Sequence, residues 1–196
     1  MGMPLSRQWT AAEVRAITRE DRAWPRYELI DGELLVTSAP RAPHQFAALE
    51  LVLLLAPYLE LTGVGFVLLS PADLELRPGT ITQPDVFVVP RSEEPSELPM
   101  EWSDIHSLLL AVEILSPSSL RTDRVIKRNF YLANGVAEYW VVDCDGQTIE
   151  RWESLHDAPD LCRGRISWAP LNSEPLVIDL DAMFARIDYK FRRMQR

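Results

Sequence analysis

The first organised stretch of the chain is Thr10-Ala11-Ala12-Glu13, a capping box in which the threonine oxygen and the Glu13 carboxylate satisfy free backbone donors. A short helix to about Arg19 is expected from it. Tyr27–Ile30 and Glu33–Thr37 then alternate around Asp31-Gly32, the strongest short hairpin signal, with one buried face. From His44 to Glu60, Phe46, Leu49, Val52, Leu53 and Leu59 recur near helical spacing. That pattern predicts a mostly buried helix, kinked or ended by Pro57.

Strand-like runs follow at Gly65–Leu69, Ala72–Leu76 and Asp85–Val89. Arg91–Glu101 is rich in Pro, Glu and Ser and reads as a surface loop. Leu108–Leu115 is apolar without alternation, as a central strand covered on both faces requires, and Pro117 stops it. A helix is predicted over Thr122–Ala133, with Asn134-Gly135 as a left-handed cap. Its inward stripe is expected at Ile126, Phe130 and Ala133, with Asp123, Lys127 and Tyr131 on a neighbouring face. Ala137–Asp143, Gln147–Trp152 and Arg165–Trp168 read as further strands and Leu180–Arg186 as a short helix.

The 196 residues, 47% of them hydrophobic, can bury one sizeable core, and no Gly/Ser-rich linker divides them. One domain over residues 1–196 is therefore expected. The N-terminus shows no charged-then-apolar leader, and the longest purely apolar stretch, Leu51 to Pro57, is far short of a bilayer span. A cytoplasmic protein without membrane contact is the expectation. Cys144 and Cys162 are too few for a disulfide framework and lack zinc-site spacing. The net charge of -9 argues against nonspecific coating of nucleic acid, which depends on Lys and Arg.

Candidate chemistry concentrates on two acids. Asp85 and Glu113 each sit in an apolar, strand-like run, and a carboxylate there is costly to bury without a positive or hydrogen-bonding partner. Two unpaired anions on neighbouring strands raise each other's pKa, and a divalent cation removes the conflict. Magnesium suits oxygen ligands and keeps waters beside one or two carboxylates. Lys127, one of only two lysines, sits on the following helix, from which its ammonium can reach the site. Arg121, Arg124 and Arg128 add charge for a local phosphate track. The bland alternatives stand beside these readings. Asp85 can satisfy backbone donors at a strand end, Glu113 can be a structural ion pair, and Lys127 can pair with Asp123 across one turn. His44 can be a helix cap or interface residue, Glu28 an outward hairpin residue, and Tyr139 and Trp140 core and dimer-contact aromatics rather than base-stacking groups.

The ordered set Tyr27-Glu28-Leu29-Ile30-Asp31-Gly32-Glu33-Leu34, His44, Pro84-Asp85, Val112-Glu113-Ile114-Leu115-Ser116-Pro117-Ser118-Ser119, Asp123, Lys127, Tyr131 and Gly135-Val136-Ala137-Glu138-Tyr139-Trp140-Val141-Val142-Asp143 resembles the Uma-type family of restriction-endonuclease-like proteins. The resemblance runs from Tyr27 to about Trp152. It implies an α/β fold of the PD-(D/E)XK nuclease superfamily: a mixed β-sheet flanked by helices, here preceded by an N-terminal helix and β-hairpin. By the same resemblance Asp85, Glu113 and the Ile114 backbone carbonyl hold Mg²⁺, with Mn²⁺ as a substitute, and Glu28 and His44 are accessories. Leu115 stands where the wider superfamily places its lysine, and Lys127 is the substitute. The implied activity is hydrolysis of DNA phosphodiesters by a homodimer. The alternative is a nuclease-fold binding or assembly module without catalysis, which Leu115 and the acidic balance favour.

Overall fold

A computed structural model describes residues 7–18, 25–91, 101–155 and 158–194. Its centre is a six-stranded sheet in the order β3-β4-β5-β6-β7-β8, formed by Gly65–Leu69, Val86–Pro90, Leu110–Ile114, Glu138–Asp143, Thr148–Trp152 and Asp160–Cys162. Only β5 and β6 are parallel, joined by a helical crossover; the remaining neighbours are antiparallel. The sheet is therefore mixed, as expected, and mostly antiparallel. Ahead of it stand α1 (Ala11–Ile17), with its capping box formed, and the hairpin of β1 (Arg26–Ile30) and β2 (Glu33–Thr37). Asp31 and Gly32 both take positive φ in its tight turn.

Each face of the sheet has its own apolar layer. One is covered by α2 (Ala42–Thr62), α4 (Leu180–Met194) and the ribbon of β9 (Arg165–Trp168) with β10 (Leu176–Asp179). There Leu51, Leu55, Trp140, Trp168 and Phe184 pack together. The other is covered by the segment after β5, which brings Phe130 and Tyr131 onto Phe87, Ala111, Tyr139 and Val141. Tyr139 and Trp140 are wholly buried on opposite faces, so they are core aromatics and not contacts for a second copy.

Several expectations change. Ala72–Leu76 buries alternate residues as a strand would, but it makes only one bridge, Leu74 to Thr82, because Pro71 and Pro78 bound it closely. Its alternation reports burial rather than pairing. Pro57 neither ends nor replaces α2, which continues to Gly63 in the left-handed conformation. Nor is α2 mostly buried: an 18-residue window has mean hydropathy 1.4, enough by length and composition to cross a bilayer, yet only 39% of it is covered by protein. α4 runs eight residues beyond the expected Arg186, to Met194, because charged residues on its outer side dilute the apolar period. Arg186 and Lys190 there reach across to the buried Glu50 of α2. The expected loop at residues 92–100 lies outside the described residues, and so does Arg19.

Proline inside a helix removes one backbone hydrogen bond and crowds the preceding turn. Pro57 is exposed. Pro57→Ala is expected to stabilise the fold by on the order of 1–2 kcal/mol, part of the helical gain being offset by a more flexible unfolded chain. Urea unfolding measures it, and an unchanged or lower midpoint would show that the helix needs the proline.

Candidate functional site

Register brings the two acids together. Val86, Phe87 and Val88 oppose Val112, Ala111 and Leu110, so one further step places Asp85 opposite Glu113 on the same face of the sheet. Asp85 lies just before β4, where the ladder has stopped, and its Oδ2 accepts the Ile114 N–H at 2.9 Å. The N–H and C=O of a strand residue leave on the same edge, so the Ile114 carbonyl also faces the gap beside Asp85.

Lys127 closes the group. Its Nζ lies 2.7 Å from Glu28 Oε2 and 3.0 Å from Glu113 Oε1, with both carboxylates and the ammonium almost wholly buried. The Tyr131 hydroxyl donates to the same Glu113 oxygen at 3.2 Å, and the Gln83 N–H donates to Glu28 Oε1 at 2.8 Å. His44, on the first turn of α2, puts Nε2 2.9 Å from Asp85 Oδ2, while its buried Nδ1 has no hydrogen-bond partner. Arg26 Nη1 approaches Asp85 Oδ1 at 3.5 Å. All of these residues except Tyr131, which lies behind Glu113, line one cavity of about 530 Å³ that the loop after β2 and Ser116–Ser119 also border.

The helix that delivers Lys127 opens with a π-helical segment, Thr122–Lys127, before α3 (Arg128–Ala133). The Arg128 N–H reaches back five residues to the Asp123 carbonyl, which also accepts the Tyr139 hydroxyl at 2.8 Å. The wider turn directs Asp123, Lys127 and Tyr131 inward. The expected stripe of Ile126, Phe130 and Ala133 is therefore wrong in phase: Phe130 is buried, Ile126 only partly, and Ala133 is exposed. Lys127 accordingly pairs with Glu28 and Glu113, not with Asp123 across one turn. Glu28 points inward, which overturns its reading as an outward hairpin residue.

Arg121, Arg124 and Arg128 do not line the cavity. Arg124 is held by Glu150 at 2.7 Å and by Asp143 at 3.7 Å, Arg128 lies over the Trp152 ring, and Arg121 is exposed. The contiguous arginine track is not formed. Arg26 was missed, although it shares the inward face of β1 with Glu28 at a spacing of two. Asp123, which the sequence places in the resembling set and on one face with Lys127 and Tyr131 but not among the site acids, is a buried acid of the cavity wall.

Four carboxylates, Glu28, Asp85, Glu113 and Asp123, thus share one cavity with Lys127, His44 and Arg26. Burial opposes the charge of Asp85, but His44, Lys127 and the Ile114 N–H outweigh it and hold its pKa below the usual value. Burial drives Glu113 well above the normal range; Lys127 opposes this, and Asp85, Asp123 and Glu28 reinforce it. Lys127 loses by burial but is pushed well above its ordinary pKa by the surrounding acids, so it stays protonated. Among the described residues no three His, Cys, Asp or Glu side chains stand in a ready-made cluster for a metal.

Residues 11–164, more than half of the chain, match the Uma2 family, described as "Putative restriction endonuclease". The chain belongs to the Uma2 family. No curated protein sequence matches this Uma2 chain. A solved structure described as a "putative nuclease belonging to DUF820", from Anabaena variabilis ATCC 29413, superposes with a TM-score of 0.67 at 21% identity. The match covers 83% of this chain and 92% of that one, and it shows a shared nuclease fold.

Burial, before all charges, raises the Asp123 pKa from 3.8 to about 6. The folded protein therefore binds that proton more tightly than the unfolded chain. Its stabilising share is complete below about pH 4 and is lost as pH rises through about 6. Asp123→Asn is expected to remove this loss, gaining roughly 2–3 kcal/mol over wild type near neutral pH and almost nothing below about pH 4. Urea unfolding of both proteins across that window measures it; an equal difference at both ends would rule out Asp123 as the source.

Proposed function

We propose that this Uma2 protein is a metal-dependent endonuclease that hydrolyses DNA phosphodiester bonds, with Asp85 and Glu113 as its acidic centre. The carrying observation is their convergence, opposite one another on adjacent strands and in one cavity with Lys127. Family and fold point to a nucleic acid substrate. The donor set fits Mg²⁺, with Mn²⁺ as a substitute: two carboxylates and the carbonyl edge of Ile114 are hard oxygen donors, and the excess of acid over base favours a cation. These residues would hold the ion, which when bound supplies Lewis-acid polarisation and a more acidic water.

The protein's own groups then have separable roles. Glu28 and Glu113 together anchor Lys127, so the ammonium is fixed within reach of charge developing on a phosphate oxygen. His44 and the Ile114 N–H orient Asp85. Ser116 and Ser118 at the rim present hydroxyls to a bound phosphate. Two copies suit cleavage of two strands, and a homodimer is part of this proposal.

A second reading is favoured by the double ion pair of Lys127. In it, Glu28, Lys127 and Glu113 are a structural triad in a nuclease fold that binds without cutting. The experiment that separates the two incubates the protein with plasmid and single-stranded DNA in Mg²⁺ or Mn²⁺. Cleavage is expected for wild type, none for Asp85→Ala or Glu113→Ala, and a loss of about 10²–10³-fold for Lys127→Met. Cutting that survives in both acid variants would place the chemistry elsewhere, and no cutting by wild type would favour the binding module.

Metal binding is also measurable without turnover. A cation that binds only the folded state stabilises it by about 2.7 kcal/mol at a hundred-fold excess over Kd. Thermal unfolding in Mg²⁺ or Mn²⁺ is expected to shift upward for wild type and not for Asp85→Ala. An equal shift in both proteins would mean the ion sits away from Asp85.

A further inference from the structure

Among the described residues the sheet is left open along β3. Its neighbour β4 takes one side, and the ladder fixes which groups remain. Ser70 donates its N–H to the Asp85 carbonyl and Arg91 donates to the Val64 carbonyl, so even-numbered residues bond toward β4. Gly65, Val67 and Leu69 therefore aim N–H and C=O outward, and among the described residues these groups meet no backbone partner. An open edge of this kind is a template for another strand.

Within its own five residues the strand lacks the usual protections, although the Arg91 guanidinium lies over the Phe66 ring. Gly65-Phe66-Val67-Leu68-Leu69 contains no charge and no proline. The opposite edge, β8, has only three residues and begins with Asp160, ion-paired to Arg151. Beside β3, α2 packs on the strand and leaves Leu49, Leu53 and Leu61 exposed at 46%, 56% and 87%, and Leu69 itself is half exposed. A five-residue ladder alone is small for a stable interface, so apolar surface beyond the strand must contribute, and the exposed leucines of α2, which packs on β3, are candidates for it.

From this edge we infer that β3 is the seam joining two copies of the chain, antiparallel and centred on Val67. A copy fits because the pattern is its own complement: reversal about Val67 exchanges Gly65 with Leu69, so three donors and three acceptors from each strand pair off under a twofold axis. Charge selects the same place. Two molecules of net charge -9 repel over most of their surfaces, and opposed like charges destabilise a strand pair. Along β3 no side chain carries charge. This deepens the two-copy part of the proposed function by naming its face, and it does not depend on catalysis.

The test is the mass in solution, by light scattering during size exclusion, of wild type, Val67→Pro and Leu69→Lys. Proline is tolerated where the missing N–H faces away from the sheet, so Val67→Pro deletes an outward donor and leaves the ladder to β4 intact. Wild type is expected at twice 22.4 kDa. Val67→Pro is expected to raise the dimer dissociation constant about 30-fold through its two lost central hydrogen bonds. Leu69→Lys is expected to give monomer, with thermal unfolding confirming that it is folded. Wild type at 22.4 kDa would overturn both the seam and the two-copy reading. A dimer that persists at wild-type affinity in Leu69→Lys would overturn the seam alone.

Discussion

Everything at the centre of this molecule depends on one buried ammonium. Lys127 is almost without solvent, and desolvation on that scale would ordinarily neutralise it. It stays charged because Glu28 and Glu113 flank it at ion-pair distance and Asp123 and Asp85 add to the field. The dependence is mutual. Without Lys127 the cavity would hold acids with no buried partner, and leaving one member of such a pair uncompensated typically costs about 3–5 kcal/mol. The hairpin, the sheet and the crossover helix each contribute one member, so the ion group also fixes how these three pieces meet.

Even so, the group is not balanced. Glu113 and Asp123 are both displaced toward the protonated form, first by burial and then by the neighbouring acids, with Lys127 opposing, and four carboxylates face Lys127, Arg26 and His44 in the cavity. An arrangement selected only for stability would replace one of these acids with an apolar residue, since buried ion groups seldom outperform good packing. The excess acid is what a site for a cation needs. It also explains how a protein of net charge -9 can belong to a nuclease family: in the proposed reading, the bound ion reverses the sign of the cavity where a phosphate would enter.

Much of this was legible in the chain because the decisive residues break a local pattern. Glu113 in the run Leu110–Ile114 and Asp85 after Pro84 stand out against apolar neighbours, and Asp31-Gly32 announces its turn. The central strands were readable for the same reason: β4, β5 and β6 are nearly continuous apolar runs. What stayed hidden depends on partners remote in sequence. Glu50 reads as an ordinary helix acid until α4 supplies Arg186 and Lys190. Glu28 is ambiguous until the hairpin folds over the sheet. The phase of the Lys127 helix does not follow from an α-helical period, because the chain makes a π turn there, and the inward direction of Asp123 depends on that turn.

The π turn also shows how the fold can do without a lysine two residues after Glu113. From position 115 a side chain projects to the same face of β5 as Glu113, and here that side chain is Leu115, packed partly into the apolar layer. The ammonium arrives instead from a helix, which lies farther from the strand and must turn its polar residues toward the core. An ordinary α-helical phase would spend that face on Ile126, Phe130 and Ala133. The π segment diverts it, with the Tyr139 hydroxyl holding the Asp123 carbonyl at the bend and Tyr131 continuing the polar line to Glu113. Two buried tyrosines and one irregular turn thus perform the positioning that a strand residue would provide by register alone.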